Sequence, residues 1–351
     1  MLSQAITTFG APLEALDTPT PEPKGTEVLL RVRHCGVCHT DIHLHDGYFS
    51  LGGGKKLDLA SGVPLPHTLG HEIEGEIVAA GPDAGAVTVG AHVAVFPWIG
   101  CGQCATCARG EEQNCSRPRQ LGCSGNAPGG YATHILVPHP RYLLDYGAAP
   151  PALAATYMCA GLTAYSALKK VGPVTATDPV LILGAGGVGM MAIRFAEAVL
   201  GAPALAADID DGRLKAALAA GAKSAYNVKD PAAAKAVKGD TGGGPFAVID
   251  FVGSEASFAF ANGVVRRGGR IIVVGLSGGT LTAPLLMIAM RPFSIIGSYT
   301  GSLSEAEEMM TLVRAGKVAP IPIEERSLGA ANQALDDLRA GKIVGRVVLT
   351  P

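Results

Sequence analysis

The run Pro179-Val-Leu-Ile-Leu-Gly184-Ala-Gly186-Gly187-Val188-Gly189 sets the architecture of the second half of the chain. An uninterrupted apolar run of strand length precedes glycines at the spacing GxGxxG, and residues 190–200 continue as an apolar helix. Gly184 permits the tight turn, Gly186 lets the backbone approach a pyrophosphate, and Gly189 allows the helix to pack closely on the strand. With Gly187 and Val188, the helix start presents free N–H groups and partial positive charge to an anion. Outward from there, residues 204–208 read as a second strand ending in Asp208, a carboxylate that accepts ribose hydroxyls and repels a 2′-phosphate. The dinucleotide expected is therefore NAD rather than NADP. Asp210 and Asp211 lie close by, but they read as the cap and first turn of the next helix. Residues 224–228, 246–252, 269–275 and 293–298 supply the remaining strands of a six-strand doubly wound parallel sheet.

The rest of the chain has a different texture. Residues 1 to about 150 are rich in Pro, Gly and His, with short apolar runs such as Glu27-Val-Leu-Leu-Arg-Val and Ala91-His-Val-Ala-Val-Phe, which reads as an irregular β-rich unit. Amphipathic helices are expected after Ser302 and over 330–340, followed by a strand, Gly345-Arg346-Val-Val-Leu. A lone strand requires a sheet, so this tail is expected to return to the first unit. The division that follows is 1–160 with 298–351 as one domain and 161–297 as the other.

Composition narrows the function. Lys+Arg number 28 against 30 Asp+Glu, a formal charge of -2 that gives no global attraction for nucleic acid or an acidic membrane surface. Hydrophobic residues make up 48% of the 351, yet no apolar run approaches the roughly 20 residues that span a bilayer. The N-terminus lacks a basic segment followed by an apolar one, so a cytoplasmic protein is expected. Eight Cys are too sparse for a disulfide scaffold, and half of them fall between positions 101 and 115.

That cluster, Cys101-x2-Cys104-x2-Cys107-x7-Cys115, supplies four soft thiolates, a tetrahedral set that suits zinc and leaves no position open. The expected role is structural. An iron–sulfur cluster and a nucleic-acid-gripping ribbon are the competing readings, the latter opposed by Glu111 and Glu112 beside Arg109, Arg117 and Arg119. Further ligand types are scattered: Cys38 in Cys35-Gly-Val-Cys38-His39-Thr40-Asp41, His71 and Glu72 in Leu69-Gly-His-Glu, and Cys159 in Tyr157-Met-Cys-Ala-Gly. Alone, each has an ordinary reading. Cys35 and Cys38 read as a redox pair or two buried thiols, His71 and Glu72 as a satisfied core pair, and Cys159 as a small hydrophobe. Spacing does not join the three segments.

Taken together, these motifs match a known family. The sequence resembles the zinc-dependent medium-chain alcohol dehydrogenases over essentially its whole length, through residues 35–41, Gly70-His71-Glu72, the four-Cys loop, Cys159-Ala-Gly-Leu-Thr163 and the turn at 184–189. The resemblance implies an α/β protein: a GroES-like β-rich catalytic domain beside a Rossmann domain that binds NAD. It implies two zinc ions per chain, one held by the four-Cys loop and one catalytic ion on Cys38, His71 and Cys159, with Glu72 beside it as a transient ligand. Three protein ligands leave a position for water or substrate. The implied reaction is reversible oxidation of a small-molecule alcohol to an aldehyde or ketone, a zinc-held alkoxide giving hydride to nicotinamide. Thr40, the cofactor ribose and His43 would relay the proton, and Asp41 would orient His71. His39 and Arg346 would contact the pyrophosphate and Thr163 the nicotinamide. A homodimer or homotetramer is expected by the same resemblance. The alternative is a catalytically silent homologue that keeps the staple metal and the cofactor fold, against which the intact set of Cys38, His71, Cys159, Thr40 and His43 weighs. Residues 47–62 make a longer segment than the short bacterial and yeast pattern. It reads either as a lid or oligomer contact, with Tyr48, Phe49 and Trp98 as candidate wall residues, or as a tolerated surface insertion.

Overall fold

A computed structural model describes residues 1–351 except 125, 126, 176, 283 and 284, and the side chain at 287. The β-rich unit is built on β1 (Val28–Gly36), followed by helix α1 (His39–Asp46), then β2 (Glu72–Ala80), β3 (His92–Val95), β4 (His134–Val137) and β5 (Leu143–Leu144). In β1 the period-2 pattern sends Leu30 and Val32 into the core and Arg31 and Arg33 to solvent, which fixes its register against β2. The next unit contains β6 (Val180–Leu183), helix α2 (Gly187–Leu200), β7 (Leu205–Asp208), β8 (Ala225–Asn227), β9 (Ala247–Asp250), β10 (Arg270–Val273) and β11 (Ser294–Gly297). The chain then supplies β12 (Ile323–Ser327) and β13 (Arg346–Thr350). β13 pairs antiparallel with β1 at Val348–Gly36 and Leu349–Cys35, so the tail strand does return to the first sheet. The order there is β5-β3-β2-β1-β13-β12, with β4 also on β1.

The parallel sheet runs β8-β7-β6-β9-β10-β11, the doubly wound order expected from the sequence. Its strands are apolar on both faces, and alternate residues enter two different cores. Val180, Ile182, Ala206 and Ile249 join the large core, while Leu181, Leu183, Leu205 and Val248 join a smaller one under the opposite face. Both faces are thus covered, as a parallel sheet requires. Helices Pro151–Thr156 and Leu162–Lys170 are joined by a π-helical turn, Tyr157–Gly161, which carries Cys159. The expected domain junction at 160/161 lies inside this continuous helical run. Insertions of the π type are frequent at functional sites because they re-aim one side chain.

Residues 47–62 form a hairpin, Tyr48–Gly52 with Lys55–Asp58. The Lys56 ammonium sits over the Tyr48 ring, whereas Phe49 packs against the His43 ring with centroids 4.7 Å apart. The hairpin tip meets the loop after β10: a Cβ on Gly278 would fall 2.4 Å from Ser50 O.

Candidate active site and metal centres

The site is organised by one buried carboxylate at the start of α1. Cys38 is the N-cap of that helix, and Asp41 reaches back to accept its N–H at Oδ2, 2.9 Å. The same oxygen accepts the Tyr131 hydroxyl at 3.0 Å. Oδ1 accepts the Gly70 N–H at 3.3 Å and lies 3.2 Å from Nδ1 of His71. Asp41 therefore fixes the backbone of one candidate ligand and the ring of another, the support that metal-binding imidazoles need. Tyr131 has no signal in the sequence beyond an aromatic after two glycines. Its partner Gly70 has φ 96°, and a Cβ there would meet the Tyr131 ring at 2.4 Å, so the glycine before His71 makes room for the tyrosine.

Cys38, His71, Glu72 and Cys159 converge, each buried, with one donor atom from each within 4.8 Å of the others. The Cys38 and Cys159 sulfurs are 3.9 Å apart and unbridged. Two thiolates each about 2.3 Å from one tetrahedral zinc lie about 3.8 Å apart, so the spacing fits a shared ion. Both ring nitrogens of His71 are buried without a hydrogen bond among the described residues; Nδ1 faces Asp41, and Nε2 has no such neighbour, which an imidazole tolerates when that nitrogen is a ligand. Contact with Cys159 holds the Cys38 thiol well below its usual range, and the same contact pushes Cys159 up, as sharing one proton between two sulfurs requires. Burial pushes Glu72 up to about 7 against the opposing charge of Arg346. Glu72 Oε1 pairs with Arg346 and accepts the Ala160 N–H at 3.3 Å, while Oε2 has no partner among the described residues.

A cleft opens on this group. It is lined by Cys38 and Cys159 with His39, Thr40, His43 and Thr163, and on the nucleotide side by Val188 and Arg346. Thr40 Oγ1 lies 3.9 Å from Cys38 Sγ. Burial lowers the pKa of both His39 and His43. Of the three candidate wall residues only Trp98 lines the cleft. Its indole N–H donates to Met158 O at 2.8 Å, and its ring lies 5.4 Å from that of His71. Sequence reasoning missed Tyr299, which lines the cleft edge-on to Trp98 at 5.8 Å.

The glycine-rich turn has the close contacts its residues demand. A Cβ on Gly189 would fall 1.9 Å from Gly184 O, whereas one on Gly186 would meet nothing within 4 Å, leaving open the side from which a phosphate approaches. Gly187 faces Arg346, whose Cδ would lie 2.5 Å from an added Cβ. Asp208 stands at the end of β7 with its carboxylate engaged by the turn: Oδ2 accepts the Ala185 N–H at 2.7 Å, and Oδ1 accepts those of Ile209 and Asp210 at 2.7 and 3.1 Å. Asp210 caps the following helix through the Arg213 N–H, as expected.

The second thiol group lies apart from the cleft. Cys101, Cys104, Cys107 and Cys115 also have their donor atoms within 4.8 Å of one another. Cys104 sits 3.5 Å from Cys107 and 3.8 Å from Cys115. Backbone N–H groups of Cys107, Cys101 and Arg117 point at these sulfurs, and the Gln103 N–H brings the Cys101 thiol down to about 6. Burial pushes Cys107 the other way, up to about 12, so four sulfurs this close all become thiolates only around a soft cation. The buried Glu112 ties the loop to the core by accepting from Gly100 N–H, Arg141 and the Tyr142 hydroxyl.

Known proteins share this fold along the whole chain. The family model described as the alcohol dehydrogenase GroES-like domain matches residues 24–146, and the zinc-binding dehydrogenase model matches 187–315. The chain is 38% identical to an NAD-dependent alcohol dehydrogenase of Sulfurisphaera tokodaii, covering 100% of both chains, and 34% identical to an alcohol dehydrogenase of Geobacillus stearothermophilus over 99% of both. Its fold superposes on the alcohol dehydrogenase of Aeropyrum pernix with a TM-score of 0.89 at 30% identity, covering 100% of both chains. A thermostable alcohol dehydrogenase of Pyrobaculum aerophilum, described as cobalt- and zinc-bound, matches with a TM-score of 0.85 at 27% identity over 100% of this chain and 99% of that one. This chain belongs to the zinc-type medium-chain alcohol dehydrogenase family, with a GroES-like unit and a Rossmann unit as its two parts.

Proposed function

We propose that the protein oxidises an alcohol to an aldehyde or ketone with NAD, reversibly, at the centre made by Cys38, His71 and Cys159. The observation that carries this reading is a buried two-sulfur, one-nitrogen set whose two sulfur-bearing residues, Cys38 and Cys159, line the same cleft as the start of helix α2. When bound, zinc lowers the pKa of an alcohol oxygen and nicotinamide accepts a hydride. The chain's own part is to hold and to move a proton. Asp41 faces His71 Nδ1, and Tyr131 holds Asp41, an arrangement that favours the proton on Nδ1 and leaves Nε2 for the metal. Thr40 takes the substrate proton at Oγ1 and His43 releases it towards solvent. A ring whose pKa is lowered by burial stays neutral and ready to accept. The buried Trp98 ring shields the reacting side from water, with Tyr299 packed edge-on against it. Arg346, beside Gly187, and His39 hold the pyrophosphate, with Thr163 against the nicotinamide. Glu72 is the transient fourth ligand, one of its carboxylate oxygens lying within 4.8 Å of the other three donors.

In the same reading the chain carries two zinc ions, the second on Cys101, Cys104, Cys107 and Cys115. Residues 1–160 with 298–351 act as the catalytic domain and 161–297 as the cofactor domain. The protein assembles as a homodimer or homotetramer and works in the cytoplasm, where eight free thiols persist. None of the described helices is long and apolar enough to cross a membrane. The test is an absorbance screen of primary, secondary, aromatic and cyclic alcohols with NAD. Reduced cofactor should form with at least one class, and its formation should stop on chelation and resume with added zinc. Zinc-loaded protein that turns over no alcohol in the screen would sink the proposal.

A further inference from the structure

Tyr131 reaches the metal-binding group from a segment whose backbone is pinned on both sides. Its N–H donates to Leu69 O at 2.9 Å, and its C=O accepts the Gln4 N–H at 2.8 Å. The two glycines before it lace onto the residues that lead into His71: the Gly129 N–H donates to Thr68 O at 2.8 Å and the Gly130 N–H to Gly70 O at 2.7 Å. Neither glycine has room for a side chain. A Cβ on Gly129 would fall 2.3 Å from Gly70 O, and one on Gly130 would fall 2.6 Å from Ile73 Cγ1. The phenol is thus delivered by a closely packed segment, and a side chain on a rigid support is placed more accurately than one on a free loop. Volume alone does not account for the residue, since phenylalanine fills the same space. What tyrosine adds is a hydroxyl, and it donates to Asp41 Oδ2 at 3.0 Å.

Tyr131, Asp41 and His71 are each 0% exposed, so water does not replace a missing partner there. The carboxylate is held at both oxygens: Oδ2 by the Cys38 N–H and the Tyr131 hydroxyl, Oδ1 by the Gly70 N–H, with His71 Nδ1 3.2 Å away. Without the hydroxyl, Oδ2 keeps only the Cys38 N–H, and a buried carboxylate short of a donor turns to find another. We propose that Tyr131 is a positioning residue: through Asp41 its hydroxyl fixes the His71 ring, and so sets how tightly the centre of Cys38, His71 and Cys159 holds its zinc. This rests on the reading of that centre as a zinc site and assigns it a residue that acts on the metal through two other side chains. Removing a group that orients a metal-binding imidazole costs about ten- to a hundredfold in metal affinity. Tyr131 stands one side chain further out, which puts its effect at the lower end, about tenfold.

The experiment titrates the zinc-loaded protein with a competing chromogenic chelator, in the wild type, in Tyr131→Phe and in Cys159→Ala, with circular dichroism on each. The step that survives in Cys159→Ala belongs to the four-Cys ion and serves as an internal reference. In Tyr131→Phe the other step should move to about tenfold weaker affinity, while the four-Cys step keeps its wild-type position and the dichroism spectrum is unchanged. An affinity at that other step equal to the wild type's overturns the proposal. Equal weakening of both ions, or a variant that does not fold, overturns it too, because the hydroxyl would then serve the core and not the metal centre in particular. A wild type that releases zinc in one step of a single ion per chain defeats the parent reading of a second zinc, and this inference with it.

Discussion

Single residues in this protein hold two jobs at once, and Asp208 is the clearest case. Its carboxylate was legible in the sequence as the acid that ends the second strand, with a ribose as its partner. The three backbone N–H groups it accepts could not be read there, because they arise only when the turn at Gly184 folds against β7. Asp208→Ala should therefore raise the KM for NAD by roughly ten- to a hundredfold, as loss of hydrogen bonds to a charged group does, and should narrow the preference over NADP. Steady-state kinetics with both cofactors decides this, and an unchanged preference would move the role to a neighbouring acid. Asp41 has a similar doubleness. Family resemblance pointed to its contact with His71, but its bonds to Cys38, Gly70 and Tyr131 come from segments far apart in the chain. Neither period nor spacing carries such information.

At the scale of elements, local signals were sufficient for the parallel sheet. A buried strand, a glycine turn and an amphipathic helix are encoded within about thirty residues, so 179–208 could be read directly, and the remaining strands follow by repetition. The hairpin at 48–58 was less legible: nothing in its composition says that Phe49 rather than Tyr48 reaches His43, since that is settled by which face meets α1. The edge of the parallel sheet gives an element-scale prediction. Among the described strands β11 pairs only with β10, Ile295 on it is 43% exposed, and Leu285, Leu286 and Met290 nearby are exposed as well. An unpaired apolar edge is a template for a second copy. Light scattering should find an oligomer in the wild type and a smaller species in Ile295→Lys. A monomeric wild type, or a variant of unchanged mass, would rule out this edge as the contact.

At the scale of the whole molecule, three segments that no sequence rule joins meet in one place: the cap of α1, the start of β2 and the π-helical turn before Leu162. The sulfur of Cys159 reaches Cys38 from that wider, under-wound turn, and β13 brings Arg346 from the far end of the chain to stand between Glu72 and the nucleotide turn. The account depends on this convergence being a metal centre distinct from the four-Cys loop. Zinc stoichiometry tests it most directly, measured by elemental analysis on the wild type and on Cys159→Ala beside circular dichroism and turnover. The account predicts two zinc ions per chain in the wild type and one in the variant, with the fold retained and turnover lost. A single zinc in the wild type, or a variant that keeps both ions and its turnover, would contradict it.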